Sequence, residues 1–272
     1  VVTLSLYLFG SWLAIKIIPI GKWALLAVAL LPTSLYQAAT INGDGYTNAV
    51  SFLFISVVLA YALRDETRMT RREFIGLGAV IFLLGMAKPG AILLLPLLLL
   101  VPRKFFTSRG HWIGMWAVAV VMAVFHAGWI LISFTNTSLG EGTPGTIFTS
   151  VFSQLGQYLG AFWRSFLIYW QQLFGSTIAA YGYWEGKVPA LVYWLAGAVL
   201  VLALLAGEKH AKMTKGVRAL LFGLMLLAWF GILVMYTAGK FTFDSKETVL
   251  MVQGRYLNAF LPLGLLALSG LA

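Results

Sequence analysis

The chain has 272 residues, 60% of them hydrophobic and 10% charged, with a formal net charge of +10 and no cysteine. Its mean hydropathy of +0.89 and a charged share far below the roughly 25% usual in soluble domains exclude a soluble fold. Without cysteine there are no disulfides, thiol nucleophiles or thiolate metal sites. His111, His126 and His210 have no metal-ligand spacing, so no metal site is expected from them.

In chain order, apolar runs predict spans near 1–18, 22–39, 46–63, 112–135, 189–206, 217–237 and 256–272, with an interrupted stretch over 74–101. The expected fold class is all-α, a polytopic transmembrane bundle. The chain begins at Val1 and stops at Ala272 inside apolar runs, so it reads as one transmembrane domain, 1–272, whose first and last segments lie outside the fragment. The interruption is Met86-Ala87-Lys88-Pro89-Gly90. At about 1.5 Å per residue, Phe74 to Ala87 covers roughly 21 Å of a hydrocarbon core about 30 Å thick, and Ala91 to Val101 covers less. Two half-helices meeting at Lys88 would form a re-entrant hairpin with both ends on one face.

Positive charge favours the hairpin over one kinked helix. One side then collects Lys16, Lys22, Arg64, Arg68, Arg71, Arg72, Arg103, Lys104, Arg109, Lys209, Lys212, Lys215 and Arg218, 13 of the 19 basic residues. This is the positive-inside pattern, and it explains the net charge without nucleic acid as a partner. Outer segments are then 40–45, 136–188 and 238–255. In the longest, Phe148, Phe152, Leu155, Leu159, Phe162, Phe166, Tyr169 and Leu173 step by four and three, the stripe of an amphipathic helix lying along the membrane interface. Residues 146–175 are expected to form it, with Phe152, Leu159 and Phe166 buried. From Tyr158 to Trp194 there are nine Tyr and Trp, including Tyr183 and Trp184, which form either an aromatic belt or a sugar-stacking platform.

Three charged residues draw attention. Lys88 lies within an apolar stretch, where a charge costs about 2.5 to 3.5 kcal/mol on insertion scales; it either marks a functional site that binds a phosphate as a point charge or forms a salt bridge with a buried acid such as Asp44. Asp44 sits in Asn42-Gly43-Asp44-Gly45-Tyr46, where two glycines let a carboxylate face a cavity, although plain capping of the next helix explains it equally. Arg255, in Gln253-Gly254-Arg255-Tyr256, either grips a phosphate bidentately or snorkels at the interface. Two cations and one carboxylate near one face suggest an anionic lipid headgroup. Gln37, Asn42, Tyr46, Gln253 and Tyr256 are the remaining candidate lining residues. No phosphate-cradling glycine loop, Ser-His-Asp arrangement or HExxH is present. The broken helix would suit a transporter, but no inverted repeat is visible.

Pro32-Thr33-Ser34-Leu35-Tyr36-Gln37-Ala38-Ala39 with Asp44, then Ala87-Lys88-Pro89-Gly90, then Gln253-Gly254-Arg255-Tyr256 before Leu261-Pro262-Leu263, resemble in order the bacterial membrane proteins of domain-of-unknown-function family 2142. That family in turn resembles the type C glycosyltransferase superfamily. The resemblance implies transfer of a sugar from a polyprenyl-phosphate carrier at the outer face of the bacterial cytoplasmic membrane, with Asp44 as an acid or base and Lys88 and Arg255 on the lipid phosphate. It implies a lipid-linked sugar as donor, membrane lipids and other membrane subunits as partners, and room for a divalent metal. In the superfamily the principal catalytic acid lies in an earlier outer loop, which would fall before residue 1. The alternative is a non-catalytic scaffold subunit of a larger membrane complex.

Overall fold

The computed structural model describes residues 2–64, 68–136, 149, 151–180, 188–206, 213–243 and 253–269. Every described element is helical: α1 (Val2–Ile17), α2 (Lys22–Ala29), α3 (Pro32–Ala39), α4 (Asp44–Ala62), α5 (Arg71–Gly85), a 3-10 helix Pro89–Leu100, α6 (Arg109–Asn136), α7 (Leu155–Ile178), α8 (Ala190–Leu205), α9 (Lys215–Phe243), a 3-10 turn Gly254–Leu257, and α10 (Leu261–Leu268). Asp44–Ala62, Arg109–Trp129 and Lys215–Met235 are long and apolar enough to cross a membrane, while α1, Gly90–Leu100 and α8 are shorter apolar helices.

Two expected spans are broken. The stretch 22–39 is two helices, because Pro32 has no N–H to donate and holds Leu31 in an extended conformation at φ −55, ψ 138. The stretch 256–272 is likewise divided, into the 3-10 turn and a short α10 with Pro262 in its first turn. Both breaks lie beside Asn258 and Ser34, whose side chains hydrogen bond at 3.2 Å. The irregular backbone is thus kept inside the protein, where freed polar groups find partners.

The hairpin is formed, with different dimensions from those expected. At its base, Thr70 and Glu73 make a reciprocal capping box that starts α5, Arg64 pairs with Glu73 at 2.6 Å, and Met69 N–H donates to Phe105 O at 2.6 Å. At its tip, Tyr46 Oη donates to Leu83 O at 2.9 Å and Lys88 N–H to Thr47 Oγ1 at 3.1 Å. The arms therefore run alongside α4 from its last turn to its first. Lys88 precedes a proline and adopts φ −59, ψ 147, which ends the helical run. The returning arm winds as a 3-10 helix for 12 residues. At about 2.0 Å per residue it reaches roughly 24 Å, farther than α-helical half-arms would. Lys88, central in the apolar sequence, is consequently level with the first turn of α4.

α6 runs parallel to α5, with Phe74 against His111 at 4.8 Å between ring centroids near the base and His126 on Ala87 near the tip. α7 behaves differently. Phe162 meets Phe230 at 5.9 Å and Phe174 meets Trp229 at 6.3 Å, so twelve residues of α7, about 18 Å of helix, are spanned by two consecutive residues of α9. α7 thus crosses the spanning helix α9 transversely. Its packed face carries Tyr158, Ala161, Ser165, Leu173 and Thr177, with Phe162, Phe166 and Tyr169 partly buried. The expected stripe holds from Phe162 onward only. Phe152 and Leu159 are exposed, at 69% and 47%, and Gln154 interrupts the helix at φ −124; Phe148 lies outside the described residues.

Candidate functional site

Asp44 opens α4, yet its side chain does not cap that helix: the N-cap position is Gly43, with no side-chain hydrogen bond. The capping explanation is therefore set aside. Asn42 takes that part instead, accepting from Asp44 N–H at 2.9 Å while donating to Thr40 Oγ1 at 2.7 Å. Asp44 is 5% exposed and its carboxylate pairs with Lys88 Nζ. Arg255 Nε lies 4.0 Å from the other carboxylate oxygen, has no hydrogen-bond partner, and its side chain is 15% exposed. One buried carboxylate is held between two cations from distant parts of the chain.

Each partner is placed by its own local structure. Gly43 passes against the Lys88 stem, where an added Cβ would sit 3.4 Å from Cε. Gly254 N–H donates to Ser176 Oγ at 2.7 Å, and a Cβ there would fall 1.8 Å from Leu173 O. Only glycine allows that approach, so the last turns of α7 clamp the segment that presents Arg255. Gln37, fully buried, donates to Arg255 O at 3.2 Å and accepts from Asn48 Nδ2 at 2.8 Å. Tyr256 places its ring 5.2 Å from Lys88 Nζ and 5.2 Å from the Arg255 guanidinium, a separation suited to cation–π attraction.

These groups border one cavity of about 80 Å³, lined also by Thr47, Asn48, Ala91, Ile232, Met235 and Phe260. Of the residues singled out by sequence, Asp44, Lys88, Arg255, Gln37 and Tyr256 line it. Asn42 stands behind it as a backbone cap. Tyr46 lines a neighbouring cleft. Gln253 is 6% exposed, with neither side-chain polar atom hydrogen bonded. Tyr183 and Trp184 lie outside the described residues. Thr47 and Asn48 were missed, although their spacing after Asp44 puts all three on the first turns of one helix. Ile232 and Met235 carry no sequence signal at all.

A family profile described as "Predicted membrane protein (DUF2142)" matches residues 1–264. The chain belongs to this family. The match contains the Asp44, Lys88 and Arg255 segments and accords with the apolar helices that build the bundle. No curated protein and no solved structure matches the chain.

Among the described residues the donor set does not suit a divalent metal: Asp44 is the one carboxylate they place in the cavity, and it is flanked by two cations that would repel a third. Among the described residues no three His, Asp or Glu side chains gather elsewhere. An anion fits better, because Lys88 and Arg255 are directed at one point and Arg255 Nε is an unused donor.

Proposed function

We propose that this protein transfers a sugar from a polyprenyl-phosphate carrier at the outer face of a bacterial cytoplasmic membrane. The observation that carries the reading is the buried Asp44 carboxylate shared between Lys88 and Arg255 in one cavity. A lipid phosphate arriving there competes with Asp44 for both cations and releases the carboxylate. Asp44 then takes the proton of the acceptor hydroxyl while the acceptor oxygen bonds the anomeric carbon. The bond from that carbon to the phosphate oxygen breaks with inversion, and the electron pair leaves on the phosphate, whose charge Lys88 and Arg255 balance. The Tyr256 ring lies 5.2 Å from each cation and neutralises neither.

The test uses the full chain in lipid nanodiscs with a polyprenyl-phosphate-linked sugar. Arg255→Ala weakens donor binding by roughly tenfold or more, the value of one charge-assisted contact. Asp44→Asn spares binding and removes most turnover. Turnover unchanged in Asp44→Asn refutes the assignment of Asp44. Donor binding without transfer by the unmodified protein points instead to a scaffold subunit that keeps the lipid site without the chemistry.

A further inference from the structure

The hairpin tip separates two spaces. Lys88 also borders a second cleft of about 300 Å³, lined by Tyr46, Met86, Phe125, His126 and Trp129, which Arg255 does not line. His126 is 3% exposed, and its Nε2 is 3.0 Å from Ala87 O. A carbonyl only accepts, so Nε2 carries the hydrogen, and in the neutral ring Nδ1 is a bare lone pair. Nδ1 is buried and has no hydrogen-bond partner. A buried acceptor left unpaired costs about 1 to 3 kcal/mol, and a native protein keeps such a group where something else satisfies it.

The chemistry of the walls narrows what that is. An anion is disfavoured, since its oxygens would face the Nδ1 lone pair and Lys88 is already neutralised by Asp44. A cation finds no carboxylate among the described lining residues. Tyr46, Phe125 and Trp129 offer apolar ring faces, and Tyr46 spends its hydroxyl hydrogen on Leu83 O, leaving oxygen lone pairs to accept. The geometry points to a second ligand site for an uncharged hydroxylated ring, a pyranose, which stacks on the aromatic wall and donates one hydroxyl to His126 Nδ1. Its choice among hydroxylated rings rests on the sugar-transfer reading. The site itself rests on the cleft and the imidazole. Lys88 lines both spaces, so a ring bound here lies beside the anion cavity.

The experiment is saturation-transfer NMR on the full chain in nanodiscs with methyl glucoside, methyl galactoside and methyl mannoside as probes. The unmodified protein gives transfer from at least one of them. His126→Phe, which keeps the ring and removes the acceptor, abolishes it. Trp129→Leu, at a position 56% exposed, weakens it tenfold or more without disturbing a buried group. Arg255→Ala leaves it intact while binding of polyprenyl phosphate falls. No transfer from any probe overturns the site, as does transfer unaffected by both His126→Phe and Trp129→Leu. Loss of transfer in Arg255→Ala overturns the separation into two sites. Failure of the unmodified protein to bind polyprenyl phosphate, with pyranoside transfer present, instead counts against the proposed donor and spares this inference.

Discussion

The two ends of α4 each carry an ion pair, and they are built on opposite principles. At the C-terminal end Arg64 meets Glu73 with side chains 32% and 30% exposed, beside Arg68, Arg71, Arg72, Arg103, Lys104 and Arg109 around the hairpin base. At the N-terminal end the Asp44 side chain is 6% exposed and is held by Lys88, with Arg255 alongside. An exposed pair gains little, about 0 to 1 kcal/mol, because water already solvates both ions. A buried carboxylate has lost that solvation and depends on its partners. The C-terminal end carries a half-exposed pair among further cations; the N-terminal end holds one buried carboxylate between two cations.

The comparison breaks most completely if the two ends do not lie on opposite faces. The chain has no cysteine, so single cysteines introduced at Arg68, Ser108 and Ile41 can be labelled with an impermeant thiol reagent. Arg68→Cys and Ser108→Cys react from the cytoplasmic side only and Ile41→Cys from the outer side only. Reaction of Arg68→Cys and Ser108→Cys from opposite sides removes the hairpin.

Next in size is Lys88→Met, which strands the Asp44 carboxylate and costs roughly 3 kcal/mol of stability, read from a denaturant midpoint in detergent. Adding Asp44→Asn recovers most of that loss, since the coupling lies within the pair. If the double variant is as unstable as the single, the loss is packing and not charge. Gly254→Ala follows, at about 1 to 3 kcal/mol for overpacking against Leu173 O, and it weakens anion binding because the clamp on Arg255 shifts.

The smallest effect belongs to Glu73→Gln, under about 1 kcal/mol. The Thr70 backbone N–H, and then the side chains of Arg64 and Thr70, hold the Glu73 carboxyl below its ordinary range. A lowered folded value means that its stabilisation is complete above the ordinary carboxylate range and fades as pH falls through the folded value. The midpoints of the unmodified protein and Glu73→Gln therefore converge at acid pH. A constant difference between them would mean that the carboxylate charge contributes nothing.

Sequence alone determined the helical membrane class and the hairpin, because the length of apolar runs and the placement of cations are local properties of the chain, and it singled out Asp44, Lys88 and Arg255 one by one. Lys88 before Pro89 was legible for the same reason, since a missing N–H acts wherever it occurs, whereas the need for glycine at 254 follows from the approach of Leu173. Contacts between distant segments were not legible. The 3-10 winding of 89–100, the breaks within 22–39 and 256–272, and the exposure of Phe152 and Leu159 depend on what packs alongside. The apolar wall of Ile232 and Met235 looks like any other membrane-facing residue in one dimension. Sequence likewise could not choose between Asp44 as a cap and Asp44 as a buried counter-ion. Tertiary structure decided that, by bringing Lys88 and Arg255 to a carboxylate that water no longer reaches.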